Sequence, residues 1–550
     1  MSAGKGQNDS SSRVYLAACG VFLGAGIVSL AQRLQSTGLP DVRGALGLGF
    51  DEGAWISTAF DMALMFMGPF SVFLGGLLGP RRVLLCSGAV FTIVAILLPL
   101  VPDLQALIVL QVIAGLAAGT FYPLSLSYAL RILPPRYAIY TVGAYSMELL
   151  STLSIGTPLE GWFVEHWSWR WVFWTGAALT PVMMICIYLA VPPAPKPEGP
   201  RPRLSWRGFL FASLGLSLIL GALEQGERLD WFGSGTINAM FVAAAVLLLA
   251  AAVHRWSSPN PMVDLGFLLK QNTLIIGAGL FVLRFLLLGI LVLIPGYLGT
   301  VQGYRPEQTG RVLLWLAIPV LVMGVCAANL MRRIHPRLFV AVALTMVAGA
   351  CLMDANLDSA WAADQFWWSQ LVMASGLAFY FVGEIGTIVQ NALEVGAMSS
   401  PIKTMTYAAY FQTIRLFGGQ VGTTLMQRFI FVRSTFHSSV LARSVKAGHY
   451  LTDERLRALV ARLLPKSSGA AEAQDRAAAS LIGELSRQAH TLTYQDGFIL
   501  VAWFCVGMLV LLVFLKPMKN YFDERRPVGP PSSVGGASPL VATHDARSTG

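Results

Sequence analysis

Fourteen stretches of this 550-residue chain are apolar over about the length a helix needs to cross a hydrocarbon layer, roughly 20 residues. They lie near 14–38, 54–78, 83–101, 105–130, 138–163, 169–191, 207–224, 235–254, 273–300, 308–330, 336–353, 365–390, 404–432 and 495–516. A backbone in lipid must satisfy its own hydrogen bonds, and continuous apolar runs do so as helices. Composition agrees, since 55% of the residues are hydrophobic and 12% are charged, against about 25% charged in soluble domains. The expectation is an all-α integral membrane protein with fourteen transmembrane helices.

Orientation follows from where the cations fall. Arg81 and Arg82, Arg131 and Arg136, Lys196 with Arg201, Arg203 and Arg207, Arg255 with Lys270, and Arg332, Arg333 and Arg337 all follow even-numbered stretches. Connections after odd-numbered stretches carry acids instead: Asp51, Glu52, Asp103, Glu224, Glu227, Asp230, Asp354 and Asp358. The positive-inside rule then puts both termini in the cytoplasm. The net charge of +10 is spread over these short clusters and forms no single basic face, so no nucleic-acid partner is expected. Six cysteines occur singly, without spacing for zinc or redox chemistry, and read as small core residues. No metal or cofactor is expected. No HExxH, GxSxG or P-loop is present to carry an enzyme. The polar start runs into the first apolar stretch without a small-residue cleavage site, which reads as a retained first helix.

The run GGLLGPRRVLL after stretch 2 and AANLMRRIHPRLFVA after stretch 10 put a similar Pro-Arg turn at matching points of two six-helix groups, the kind of repeat that transporters show. The expected organisation is a cytoplasmic tail 1–13, a six-helix bundle 14–191, a cytoplasmic linker 192–206 and an inserted two-helix hairpin 207–254. A second six-helix bundle, 273–516, follows. It includes a periplasmic connection, 436–494, expected to form short helices outside the membrane. A disordered cytoplasmic tail, 517–550, ends the chain.

The stretch from Gly143 to Trp174 is the most informative. Gly156, Pro158 and Gly161 punctuate the end of the fifth helix, where missing side chains allow close helix approach. Trp162, Trp167, Trp169, Trp171 and Trp174 crowd the interface depth that indoles favour. GTPLEGW followed by SWRWVFW resembles the fifth-helix signature of the major facilitator superfamily, in its fourteen-helix drug/proton antiporter branch of the EmrB/QacA type. The hairpin tip EQGERLDWFGS, NPMVDLGFLLKQNT, IPGYLGTVQGYRPEQTG and RLFGGQVGTT resemble the same family in the same order, over about residues 13–520. The resemblance implies two six-helix bundles that alternate about a midplane cavity, with the hairpin between them. Three residues depart from the family pattern. Ala31 stands where relatives have a helix-1 Asp, Gln111 replaces a helix-4 Arg, and Gly75 replaces a loop Asp, so the usual coupling residues are absent. Glu160 stands where the signature has a closing glycine.

Ionisable residues within a span are functional-site candidates by default. Arg33 and Asp61 lie about 9–12 Å from the outer ends of helices 1 and 2 at 1.5 Å per residue, and matched depth predicts a pair, serving either transport or only the fixing of the two helices. Glu148, about 15 Å into helix 5, shares a face with Ser151 and Thr152. As the one midplane acid of the first half it is the expected proton carrier, because an acid alternately buried and opened to water can bind and release a proton. Asp61 and Glu384 are further coupling candidates. Arg284 and Arg415 lie near midplane in the second half and can hold an anionic ligand or pair with Glu384. The candidate cavity lining is Gln32, Ser36, Met65, Gln111, Tyr122, Tyr145, Ser151, Thr152, Tyr380, Thr387 and Asn391.

The function these features imply is export of small apolar or amphipathic compounds across a bacterial inner membrane, driven by protons. The expected partners are a small-molecule substrate, protons, the lipid bilayer and a periplasmic adaptor protein of a tripartite pump. An uncoupled facilitator or a dedicated exporter of one metabolite stays open as the alternative.

Overall fold

The computed structural model describes residues 3–125, 135–190, 206–257, 266, 268–331, 333–445 and 448–516. Among them the regular structure is helical. The long helices are α1 (Ala3–Leu46), α2 (Phe50–Leu78), α3 (Pro80–Leu97), α4 (Leu104–Ala118), α5 (Pro135–His166), α6 (Trp171–Ala190), α7 (Trp206–Gly226), α8 (Gly235–Ser257), α9 (Gln271–Thr300), α10 (Pro306–Met331), α11 (Pro336–Asp354), α12 (Trp367–Glu394), α13 (Pro401–Ser444), α14 (Tyr450–Leu463) and α15 (Ala470–Val513). Beyond a turn at Gly119 and Thr120, α4 resumes through 121–125. The linker 192–205, the basic residues Arg131, Lys196, Arg201 and Arg203, and the tail from 517 lie outside the described residues.

Among the described residues, eleven helices are long and apolar enough to cross a membrane on their own account. The chain is a multi-pass membrane protein. The expected stretches 14–38, 138–163 and 404–432 fall on α1, α5 and α13, which carry the mid-helix charges Arg33, Glu148 and Arg415. The connection 436–494 differs from expectation. It holds one short helix, α14, set between the ends of two long ones, because α13 runs on to Ser444 and α15 already begins at Ala470. Neither extension meets a proline. Ion pairs stiffen them: Asp496 holds Arg433 and His437, and Arg455 pairs with Glu484 at 3.1 Å, with α14 laid against α15. Three cysteines also depart from the reading as core residues, since Cys19, Cys86 and Cys326 are exposed.

The two Pro-Arg turns do the same work in each half. Gly79, with φ 84°, makes a turn that a side chain would strain, and Pro80 starts α3. Arg81 then reaches the carbonyl of Tyr188 at the end of α6 at 2.9 Å. In the second half Pro336 starts α11 and Arg337 reaches the carbonyl of Val513 at the end of α15, also at 2.9 Å. Each arginine caps a helix C-terminus, where unpaired carbonyls attract a cation.

The seam between the halves is made by helices that lend side chains across it. Met147, Leu149, Leu150 and Leu153 of α5 are buried in the second half's core, while Met405, Ala409 and Leu416 of α13 are buried in the first. α5 and α10 touch along their length. A Cβ on Gly161 would lie 2.7 Å from the Glu307 nitrogen, one on Gly310 would strike Pro158, and one on Gly324 would strike Met147. The signature residues Gly156, Pro158 and Gly161 are thus contact points, with Gly156 pressed on Arg33 of α1. Inside each half, Gly115 and Gly119 seat α4 on α2, and Gly418 and Gly422 seat α13 on α9. These are small-residue crossings of the GxxxG kind.

On the α2–α13 side of the seam the helices touch directly where Gly75 meets Met405 and Gly68 lies near Thr413. Towards the outer end α7 stands between them. It is tied to α2 by Ser217 to the Met62 carbonyl at 2.7 Å, Gln225 to Thr58 at 2.5 Å and Arg228 to Asp51 at 2.6 Å. It is tied to α13 by Thr424 to the Leu223 carbonyl at 3.1 Å and by the Glu227–Arg428 ion pair at 2.9 Å.

The glycine at 310 should be far less replaceable than one in open space. Gly310→Ala is expected to lower the melting temperature of the purified protein by several degrees, an overpacking cost of about 1–3 kcal/mol. Gly349→Ala, where nothing lies within 4 Å, should leave it unchanged or raise it. Equal melting temperatures for the two variants would count against the close α5–α10 contact.

Candidate functional site

Charged and aromatic side chains meet where the halves face each other. Glu148 of α5 accepts a hydrogen bond from Thr152 at 2.7 Å, one turn further on, and its other oxygen is buried without a donor. Its place is kept by Gly26 of α1, where a Cβ would sit 2.5 Å from the carboxylate. Ser151, beside it, turns to the second half and donates to the Ala317 carbonyl of α10 at 3.4 Å.

From the other half, Arg415 of α13 lays its guanidinium 4.3 Å over the Tyr122 ring, a cation–π contact of order 1 kcal/mol, larger when desolvated. Its Nε donates to Gln412 at 2.8 Å, Nη2 is buried without an acceptor, and Glu148 lies within its electrostatic reach. Arg284 of α9, 6% exposed, joins the same field through Arg415 and Tyr122, with Nε and Nη1 unpaired. The arrangement holds two guanidinium groups, one phenol and one carboxyl across the seam. Neither arginine forms an ion pair with Glu384 among the described residues.

The expected Arg33–Asp61 pair does not form. Arg33 donates through Nε to Thr157 of α5 at 3.0 Å, whereas Asp61 accepts from Gln32 at 2.7 Å. The two residues share a depth, but consecutive positions on α1 point about 100° apart, so Gln32 takes the side that faces α2. A residue missed by sequence reasoning also meets Asp61. Glu224, assigned to an outer connection, lies inside α7, hydrogen-bonds Thr58 and Ser57, and faces Asp61 electrostatically. Its signal was a polar stripe, Ser217, Gly221, Glu224, Gln225 and Arg228, at spacings of three and four.

Other candidates are placed away from the seam cluster. Met65 is buried in the first half's core, and Gln111, fully buried, donates to Gln35 at 3.1 Å. Ser36 is exposed and bonds the Arg33 carbonyl. The Tyr145 side chain lies outside the described residues. In α12 the polar stripe steps inward: Tyr380 donates to the Gly279 carbonyl at 3.1 Å, Thr387 to the Glu384 carbonyl at 2.7 Å, and Asn391 to Thr273 and Tyr407 at 2.9 Å each. Glu384, 2% exposed, lines a small cavity of about 10 Å³ within the second half, together with Thr387 and Arg337.

Comparison with known proteins fits this architecture. The family model for the Major Facilitator Superfamily matches residues 21–423. The chain is 25% identical to the multidrug export protein EmrB of Escherichia coli K12 over 496 residues, covering 89% of this chain and 92% of that one. It is 24% identical to the probable multidrug resistance protein EmrY of the same organism over 523 residues, covering 90% and 95%. The fatty acid resistance protein FarB of Neisseria gonorrhoeae is 25% identical over 436 residues, covering 77% and 83%. Among solved structures, the proton:xylose symporter XylE superposes with a TM-score of 0.54 at 11% identity, covering 92% of this chain and 97% of that one. Two helical halves in contact through α5, α10, α2 and α13, with α7 packed beside them, and a family match over most of the sequence lead to one conclusion: the chain belongs to the major facilitator superfamily.

Proposed function

We propose that this protein exports small amphipathic compounds across a bacterial inner membrane, in exchange for protons, through fourteen spans with both termini cytoplasmic. The observation that carries the reading is the contact of Arg415 with Tyr122 across the seam, beside Glu148. It joins the two halves through groups that can bind a ligand when the halves part. The relatives are named for export of, or resistance to, chemically varied compounds, which supports a broad substrate class. Two arginines against one acid favour compounds that carry an acidic group on an apolar body.

Glu148 is the coupling group in this reading. Its carboxyl is enclosed by Gly26 and Thr152 and sits within the field of a cation from the opposite half. When the halves rearrange, both the enclosure and that field change, which is what a carboxyl needs to take up a proton on one side and release it on the other. Substrate drawn to Arg415 competes with Glu148 for the same cation, so anion binding and proton binding are linked.

Transport in oriented vesicles tests this. Glu148→Gln should still bind substrate but lose the dependence of export on a pH gradient, while Glu384→Gln should keep it. Full gradient-driven export by Glu148→Gln would remove Glu148 from the mechanism. Arg415→Ala should reduce export of acidic amphiphiles by about ten- to a hundredfold, from the loss of a charge-assisted contact of about 1.5–3 kcal/mol. Neutral compounds of similar size should be affected much less.

We also assign 436–494 to the periplasmic side, where the extended ends of α13 and α15 with α14 offer a surface for an adaptor protein. A cysteine at Ser467 should react with an impermeant reagent added outside intact cells. Reaction only from the cytoplasmic side would overturn the orientation.

A further inference from the structure

The outer end of α5 contains a buried acid that transport through the seam cluster does not use. Glu160 is 0% exposed, and no donor reaches either of its carboxyl oxygens. It presses on α1 at Gly38, where a Cβ would lie 3.1 Å from its Oε1. The group its carboxyl meets is another acid, Asp41, three residues along the same helix and within hydrogen-bonding reach.

Two carboxyl groups in contact, with no cation beside them, cannot both be ionised without strong repulsion, and one proton held between them converts the repulsion into a hydrogen bond. We propose that Asp41 and Glu160 bind one shared proton and that this proton fastens the outer end of α5 to α1.

The surroundings favour a proton over a metal ion. Among the described residues no group of three or more His, Cys, Asp or Glu side chains is positioned to hold a metal. Of the nearby cations, Arg33 bonds Thr157, and Arg43 lies over Phe50 and against Gly53 with its Nε unpaired. From α10, Glu307 faces Glu165 of α5, and Arg305 lies 3.6 Å from Glu165, on the far side of α5. α6 contributes Val172, which packs on Gly38. Asp41 is the titratable group that acts on Glu160.

The position gives the proton a mechanical role. Glu160 lies between Pro158 and Gly161, the two residues that press α5 on Gly310 and Glu307 of α10. Asp41 is partly open at the outer end of α1. A proton taken from the outer side therefore sets how firmly α5, and with it the outer α5–α10 contact, is anchored to the first half. The site is separate from Glu148, so it stands or falls independently of the coupling reading.

Infrared spectroscopy of the full chain in lipid nanodiscs tests the site directly. At pH 7 the spectrum should contain a protonated-carboxyl band that Glu160→Gln removes. Asp41→Asn should shift its frequency, because the hydrogen-bond partner changes. The melting temperature of the native protein should fall as pH rises and the proton leaves, and Glu160→Gln should flatten that slope while keeping the fold. If Glu160→Gln leaves both the band and the slope unchanged, the site does not exist. If Asp41→Asn leaves the band unshifted, Glu160 holds its proton alone and the sharing is wrong. Loss of the band on replacing choline with sodium would show a metal cation competing for the pair and would overturn assignment to a proton alone.

Discussion

Helices surrounded by lipid gain little by burying apolar surface against each other, because the tails they displace are equally apolar; close backbone approach and a few polar bonds decide which faces meet. The α5–α10 contact illustrates the point. Glycines at 161, 310 and 324 let the helices approach until Pro158 and Met147 fill the gaps. Such a contact is sensitive to shape and indifferent to charge. It lets the halves separate without leaving unpaired polar groups in a dry interface, which would be costly.

Polar bonds then do what packing cannot. Within each half an arginine fixes the Pro-Arg turn to the last helix's carbonyls, so each half closes on itself. Across the seam, Arg415 lies over Tyr122 with Glu148 in its field. Several charged residues lie against glycine contacts, Glu148 at Gly26, Arg33 at Gly156 and Arg284 at Gly418. Function and packing therefore draw on the same surfaces. A substitution at Gly26 or Gly418 would move a charged neighbour as well as a helix, since Glu148 abuts the first and Arg284 the second.

The spans were legible in the sequence because apolarity over some 20 residues is a local property. Depth was legible for the same reason, as a count along a helix. Rotation about the helix axis was not: Arg33 and Asp61 have matched depth, yet Gln32 takes the place opposite Asp61. Glu224 was assigned to a loop because the apolar run stops there, although the helix continues two residues further, to Gly226. The outer ends of α13 and α15 were misjudged because their polar composition marks the limit of the membrane and says nothing about the limit of the helix. Glu160 was visible only as a departure from a motif. Its meaning depends on Asp41, about 120 positions earlier, and only the fold brings them together.

The inserted hairpin makes the two outer edges of the seam unlike in kind. On the α5–α10 edge the closure is chiefly glycine against proline and backbone. On the α2–α13 edge it passes through α7, whose ion pair between Glu227 and Arg428 is half open to water, the arginine side chain 50% and the glutamate 28% exposed. Dissolved ions screen exposed pairs over a Debye length of about 8 Å at physiological ionic strength and leave apolar contact untouched. The two edges therefore respond differently to dissolved salt. At low ionic strength the hairpin edge grips more firmly and at high ionic strength it loosens, whereas on the α5–α10 edge only the exposed Arg305–Glu165 pair is screened and the glycine contacts hold.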